Sequence, residues 1–292
     1  MNNKQKIMIA LAAAGLMTAC RAHAQQTAYS ETDLLLNFRD TSSLTPADLA
    51  VDLGSVYTFV ASHSAGTTVD LDPASGGQFT ASQLTSTVGT PSSSAQIGFS
   101  AAAGDSTTSP ANALFLTRVI SGPSATGSGL TVSAPQGSST QGATVQTIDN
   151  IGAGYTAGTQ VGTHNAASVS SSSANSYQMQ AVDINSVLDY QNQPVTAGAG
   201  GAIEGVQAGS GSVYEALWEV PAENPGVGRS GPTPSAPDTY EGYFTFQSDG
   251  EVDFTAAGVS AVPEPSTYAD CLIAAVSLVA LACRRQFRST TA

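Results

Sequence analysis

The chain has 292 residues, of which 11% are charged and 41% hydrophobic, and a formal net charge of −13; with a mean hydropathy of +0.01, this is neither the composition of a typical cytosolic enzyme nor that of a highly charged disordered chain. Lys4, Lys6, Arg21, Arg284, Arg285 and Arg288 lie in the two terminal segments, so only Arg39, Arg118 and Arg229 stand against the 20 acidic residues between Glu31 and Asp253. That balance excludes nucleic acid as a partner, because affinity for phosphates needs clustered Lys and Arg, and it disfavours anionic membrane surfaces.

At the N-terminus, Lys4 and Lys6 precede the apolar run from Ile7 to Thr18, and Ala22-His23-Ala24 follows as a small-x-small site for signal peptidase. Cleavage is expected after Ala24, which makes residues 1–24 a signal peptide. The apolar run is shorter than the roughly 20 residues that a permanent membrane helix needs. A competing reading takes Met17-Thr18-Ala19-Cys20 as a lipobox with Cys20 acylated, but Met is atypical at its first position. Cys20, Cys271 and Cys283 all lie in the terminal segments, so the region 25–258 has no thiol for a disulfide, a nucleophile or a metal site.

Residues 25–258 read as one extracytoplasmic β-rich domain. Leu34, Leu36 and Phe38 share one strand face, and Val69 and Leu71 alternate with Asp70 and Asp72. Strands are also expected over Gln96 to Ala101 and Ala113 to Ile120; the second is apolar on both faces, as a covered central strand should be. One helix is predicted from Ser139 to Tyr155, with Val145, Ile148 and Tyr155 on its buried face. Ser168 to Ser176 reads as a serine-rich surface loop, and the proline-rich stretch from Asn224 to Thr239 as a second loop. Tyr214, Ala216, Trp218 and Val220 alternate with Glu215 and Glu219, which predicts a half-buried strand with both glutamates facing solvent. Tyr243 to Gln247 and Glu251 to Thr255 flank Ser248-Asp249-Gly250, where Asp-Gly predicts a hairpin turn. The expected fold is mainly β, an antiparallel β-sandwich of jelly-roll-like or Greek-key type with one short helix.

No residue in this body is assigned a catalytic role. There is no Gly-x-Ser-x-Gly elbow, and His63 and His164, the histidines left after leader removal, sit among small polar residues. Glu204, Glu215 and Glu219 near Trp218 are the carboxylates best suited to glycoside hydrolysis, although the outward placement of Glu215 and Glu219 argues for ordinary solvated charges. Calcium is the one cofactor that the sequence brings into view, since it takes hard oxygen ligands from loops. Asp70-x-Asp72 is the first candidate site and Asp249, Glu251 and Asp253 the next; neither completes an EF-hand. Trp218 with Tyr214 is weighed as a sugar-binding face, and core is the preferred reading.

The C-terminus carries Val262-Pro263-Glu264-Pro265-Ser266-Thr267-Tyr268-Ala269, an apolar run to Cys283, and then Arg284, Arg285 and Arg288. Prolines keep helix from starting before Ser266, and the arginines would hold the far end of an apolar helix on the cytoplasmic side. This order closely resembles the PEP-CTERM sorting tail and covers residues 259–292. The resemblance implies transient membrane insertion as a precursor, recognition by an exosortase-type membrane enzyme, cleavage near Pro263-Glu264-Pro265, and release to the cell surface or into extracellular polysaccharide. Asp270 and the short run from Cys271 to Cys283 depart from that pattern and make a retained membrane anchor the alternative fate. The whole chain is therefore expected to be an exported, non-catalytic surface or matrix protein. A carbohydrate- or calcium-binding adhesion module and a secreted hydrolase are the alternatives.

Overall fold

A computed structural model describes residues 28–42, 47–71, 78–92, 95–107, 112–124, 126–127, 138–162, 165–182, 204–222 and 238–258. The expected signal segment with Ala22 and Ala24, the expected sorting motif from Val262 to Thr267, Arg284, Arg285 and Arg288, and also Asp72, His164 and most of the proline-rich stretch lie outside the described residues. Among the described residues, no helix is long and apolar enough to cross a membrane.

Strand β1 (Asp33–Asp40) is apolar on both faces over Leu34, Leu35 and Leu36, and it takes the position such a strand requires. It pairs antiparallel with β2 (Ala47–Ser55) on one side and with β4 (Ile97–Asp105) on the other. The sheet continues on one side through β7 (Ala166–Ser170) to β6 (Thr159–Gln160). On the other side β5 (Ala113–Ile120), β9 (Ser212–Val220), β10 (Thr239–Gln247), β11 (Val252–Ala256) and the short β3 (Thr68–Asp70) follow in that order. Every pairing is antiparallel. The body is thus mainly antiparallel β with a few helices.

The sheet is strongly curled. Three strands separate β1 from β10 in sheet order, and neighbouring strands lie about 4.8 Å apart, so a flat sheet would hold the two roughly 19 Å from each other. Instead the Phe38 and Phe246 ring centroids are 5.4 Å apart and those of Phe99 and Phe246 are 5.1 Å apart. The concave face therefore closes over one core, which contains Leu34, Leu36, Phe38, Phe99, Phe244 and Phe254. Helix α1 (Val56–Ser62) contributes Val56 and Phe59 to this core, and α2 (Ala81–Val88) contributes Leu84 and Val88. The Thr80 side chain accepts from the Gln83 amide at 3.1 Å while Gln83 Oε1 accepts from the Thr80 amide at 2.8 Å, a capping box that starts α2.

The outer face is covered by α3 (Ser138–Ala157) and α4 (Tyr177–Val182). Val145, Ile148, Ile151 and Tyr177 pack there on Leu35, Leu114, Leu116 and Trp218. The helix expected from Ser139 to Tyr155 is thus present in α3, but among the described residues three further helices accompany it. The serine-rich segment departs from expectation at its start only: Ser168 and Ser170 belong to β7, where Ser168 pairs with Leu49 and Ser170 with Ala47, while 171–176 run in turns as expected. Cross-strand pairing with β2 supplies the order that composition alone withheld. The Ser248-Asp249-Gly250 hairpin forms between β10 and β11, with Gly250 at φ 97.

One strand stands off the main path. β8 (Gly205–Gln207) pairs with Ile97 to Phe99 of β4, whereas Ala102 to Asp105 of the same strand pair with β5. Between these two partners the Ala101 amide donates to Thr117 Oγ1 at 3.0 Å instead of to a ladder carbonyl. A seam therefore opens beside β4, bordered by β5, β8 and β9.

Candidate functional site

Half of the buried charged side chains among the described residues, Arg39, Asp48, Glu204 and Glu215, lie in or beside the seam. Arg39, near the end of β1, donates through Nε to Glu204 Oε1 at 2.6 Å and through Nη2 to Glu204 Oε2 at 2.5 Å, a two-pronged fork. Its Nη1 donates to Gln178 Oε1 at 2.9 Å, and the Gln178 amide donates to Asp48 Oδ2 at 2.7 Å. Ser100 and Tyr177 share a hydroxyl hydrogen bond of 2.7 Å beside them. Glycine makes the room: a Cβ at Gly98 would overlap the Glu204 carboxylate, and one at Gly205 would crowd Val213 and Glu215 Oε1.

Glu215 corrects the sequence reading most sharply. It was expected on the outer, solvated face of its strand, yet it is 0% exposed. The strand is covered on both sides, with Leu217 in the inner core and Ala216, Trp218 and Val220 in the outer one. Glu215 Oε1 accepts the Gly205 amide, and Oε2 has no hydrogen-bond partner. Burial pushes its carboxyl well up, the Thr117 hydroxyl and Gly205 amide pull it down, and neighbouring Glu204 raises it further. Asp48 is pushed up to about 7, mainly by burial, against hydrogen bonding from Gln178 and the Arg39 charge.

Of the three glutamates considered for hydrolysis, the fold brings Glu204 and Glu215 to the seam. Glu219 sits apart, half-buried on β9 near Glu241. The pair has no geometry for a sugar: Glu204 is 8% exposed and committed to Arg39, and Glu215 is sealed. Trp218 is 6% exposed and packs at a tilt against Tyr240, with ring centroids 5.0 Å apart, so it is core. His63 follows α1, with Nδ1 2.6 Å from the Phe59 carbonyl oxygen and its ring against Phe59 and Phe254.

The two calcium candidates partly merge. β3 pairs with β11 so that Asp70 faces Asp253, and the carboxylates of Asp70, Glu251 and Asp253 come within 4.8 Å of one another. Burial and the negative charges of Asp253, Asp70 and Asp249 raise the Glu251 carboxyl, and burial with Asp70 and Asp249 raises that of Asp253. Such a group suits a hard divalent cation held from two strands and a turn. Asp249 stays exposed, where its Oδ1 accepts the Glu251 amide at 3.2 Å.

Sequence reasoning missed Arg39, Asp48, Gln178 and Tyr177. Arg39 carried a signal: it is one of three arginines between the terminal segments and follows an apolar strand. The other three carried none, because their partners come from distant parts of the chain. Comparison with family models, curated proteins and solved structures returned no match for this chain.

Proposed function

We propose that this chain is a non-catalytic surface or matrix protein, exported by its signal segment and sorted by its PEP-CTERM-like tail into the extracellular polysaccharide layer. The observation that carries this reading is the order of Val262–Ala269, the apolar run and Arg284, Arg285 and Arg288. The body is consistent with a passive role, since two of the three carboxylates best suited to hydrolysis, Glu204 and Glu215, are buried in the seam and the third, Glu219, sits apart from them. Its curled sheet, with two halves facing each other across a phenylalanine core, supports reading it as a β-sandwich.

Surface charge narrows the partner. Among the described residues the only arginines, Arg39 and Arg118, are buried, so the exposed ionised groups there are essentially carboxylates. Such a surface repels acidic polymers, and it suits a neutral, hydroxyl-rich polysaccharide or one bridged by cations. The convergence of Asp70, Glu251 and Asp253 favours a second reading, a calcium-dependent adhesion module.

The test is expression of the full-length chain in a host carrying an exosortase-type enzyme, followed by fractionation and intact mass spectrometry. Termini near Gln25 and Pro263 are expected, in the extracellular fraction. Retention of Arg284 and Arg285 at the C-terminus would discard sorted release in favour of a permanent membrane anchor.

A further inference from the structure

We propose that strand β8 is a proton-operated latch, docked on β4 while Glu215 carries a proton and released from it when that carboxylate ionises beside Glu204. The geometry of the seam argues for this. Glu215 is 0% exposed and its Oε2 has no partner, so the ionised form would hold an uncompensated charge away from water. The groups around it give little relief. β5 presents Val119 and the Thr117 hydroxyl, β10 presents Phe244 at the paired position, and β8 offers the Gly205 amide. The nearest ionisable neighbour is Glu204, itself negative when forked to Arg39; Asp48, with Tyr177 and Gln178 of α4, lies on the far side of that fork. Arg39 is therefore already engaged and cannot serve as counter-ion to a second glutamate.

Among the described residues, the least-paired element between Glu215 and water is β8. β9 is paired along its length on both sides, from Tyr214 to Val220 with β5 and from Ser212 to Glu219 with β10. β8 is held by three residue pairs and, just before its start, by the Glu204 fork to Arg39, while Val206 in its middle is 40% exposed. Its far end is anchored, since Gln207 Nε2 donates to the Gly211 and Phe246 carbonyl oxygens at 3.0 Å each. Gly205 and Val206 can thus bulge away from Phe99 and Gly98 between the anchored Glu204 and Gln207 while β9 stays in place. Local openings of this kind are drawn from the least-paired part of a fold.

Hydrogen exchange on the full-length chain at mildly acid and mildly alkaline pH, corrected for the intrinsic pH dependence of exchange, tests the latch. Protection of the Gly205 and Val206 amides should fall roughly tenfold or more toward alkaline pH, with β9 protection unchanged. Glu215→Gln should abolish this pH dependence, and Asp48→Asn should keep it. Equal pH dependence in wild type and Glu215→Gln, or its loss in Asp48→Asn alone, overturns the proposal. Because Glu215→Gln could fail to fold, carboxyl carbon-13 titration of the unmodified chain gives a second reading. The Glu215 midpoint must coincide with loss of β8 protection, and two separate midpoints overturn the latch.

Discussion

Arg39 and Glu204 are 165 positions apart and meet through two hydrogen bonds of 2.6 and 2.5 Å, with side chains only 10% and 6% exposed. Two ions taken this far out of water gain little net stability from each other, because the lost hydration offsets most of the attraction. Removing one partner is different, since it leaves the other charge buried alone. Glu204→Ala should therefore destabilise the protein by about 3–5 kcal/mol, while Arg39→Met with Glu204→Leu should be close to neutral. Urea unfolding followed by fluorescence of Trp218, the single tryptophan, measures both. A double variant as weak as Glu204→Ala would show that the fork contributes hydrogen bonds that apolar packing cannot replace. The pairing itself could not be read in advance: Arg39 is conspicuous in the sequence, but nothing local to it names a partner so far along the chain. Glu215 misled for a related reason, because alternation with Tyr214, Ala216 and Trp218 fixes only which residues share a face. Whether the second face meets water depends on what the sheet curls against.

At the level of elements, the local rules were legible where the pattern is long or the turn chemistry strong, and not in the short helices α1, α2 and α4. Strand β5 runs from Ala113 to Ile120 as its doubly apolar pattern predicts, and Gly250 at φ 97 closes the β10–β11 hairpin where Asp-Gly announced a turn. Helix α2 was not expected: Thr80 and Gln83 stand at capping-box spacing before Leu84 and Val88, but its eight residues are too few for periodicity to stand out. Pairing of distant strands was not legible, and this is what assembles the acidic edge. Asp70 was matched with Asp72, its sequence neighbour, whereas the β3–β11 ladder gives it Asp253 and Glu251. Those three carboxylates repel one another when no cation is present. Asp253→Asn should consequently raise the melting temperature slightly in chelator. If the edge binds calcium, millimolar calcium should stabilise the wild type and not the variant. No calcium-dependent shift in the wild type would remove the adhesion reading's metal and leave the edge as plain like-charge repulsion.

Across the whole molecule, burial and a shortage of positive charge act in the same direction on the carboxylates. Nine described carboxyls depart upward from their ordinary values. Asp48, Asp52 and Glu241 reach about 7 and Asp238 about 6, each chiefly through burial, and Asp149, Glu215, Glu219, Glu251 and Asp253 rise as well. Among the described residues two arginines face this whole set, and one of them is already forked to Glu204. The composition foreshadowed such an imbalance, with 20 acidic residues against three arginines between Glu31 and Asp253, but not that so many carboxyls would lie under cover. The consequence for stability has the opposite sign to ordinary acid denaturation. As pH rises above about 4, the unfolded chain gives up its carboxyl protons first, while the folded chain holds several of them until about pH 6–7. The folded state then binds more protons than the unfolded one, and stability falls across that window. Once the folded groups have ionised as well, these groups cause no further loss. The urea midpoint read by Trp218 should therefore be higher at about pH 5 than at about pH 8, and added salt should recover part of the difference by screening the partly exposed carboxylates. A midpoint that holds steady or rises toward pH 8 would mean that the buried carboxyls ionise as readily in the fold as in the open chain, and Glu215 would then lack the reluctance to ionise on which the β8 latch depends.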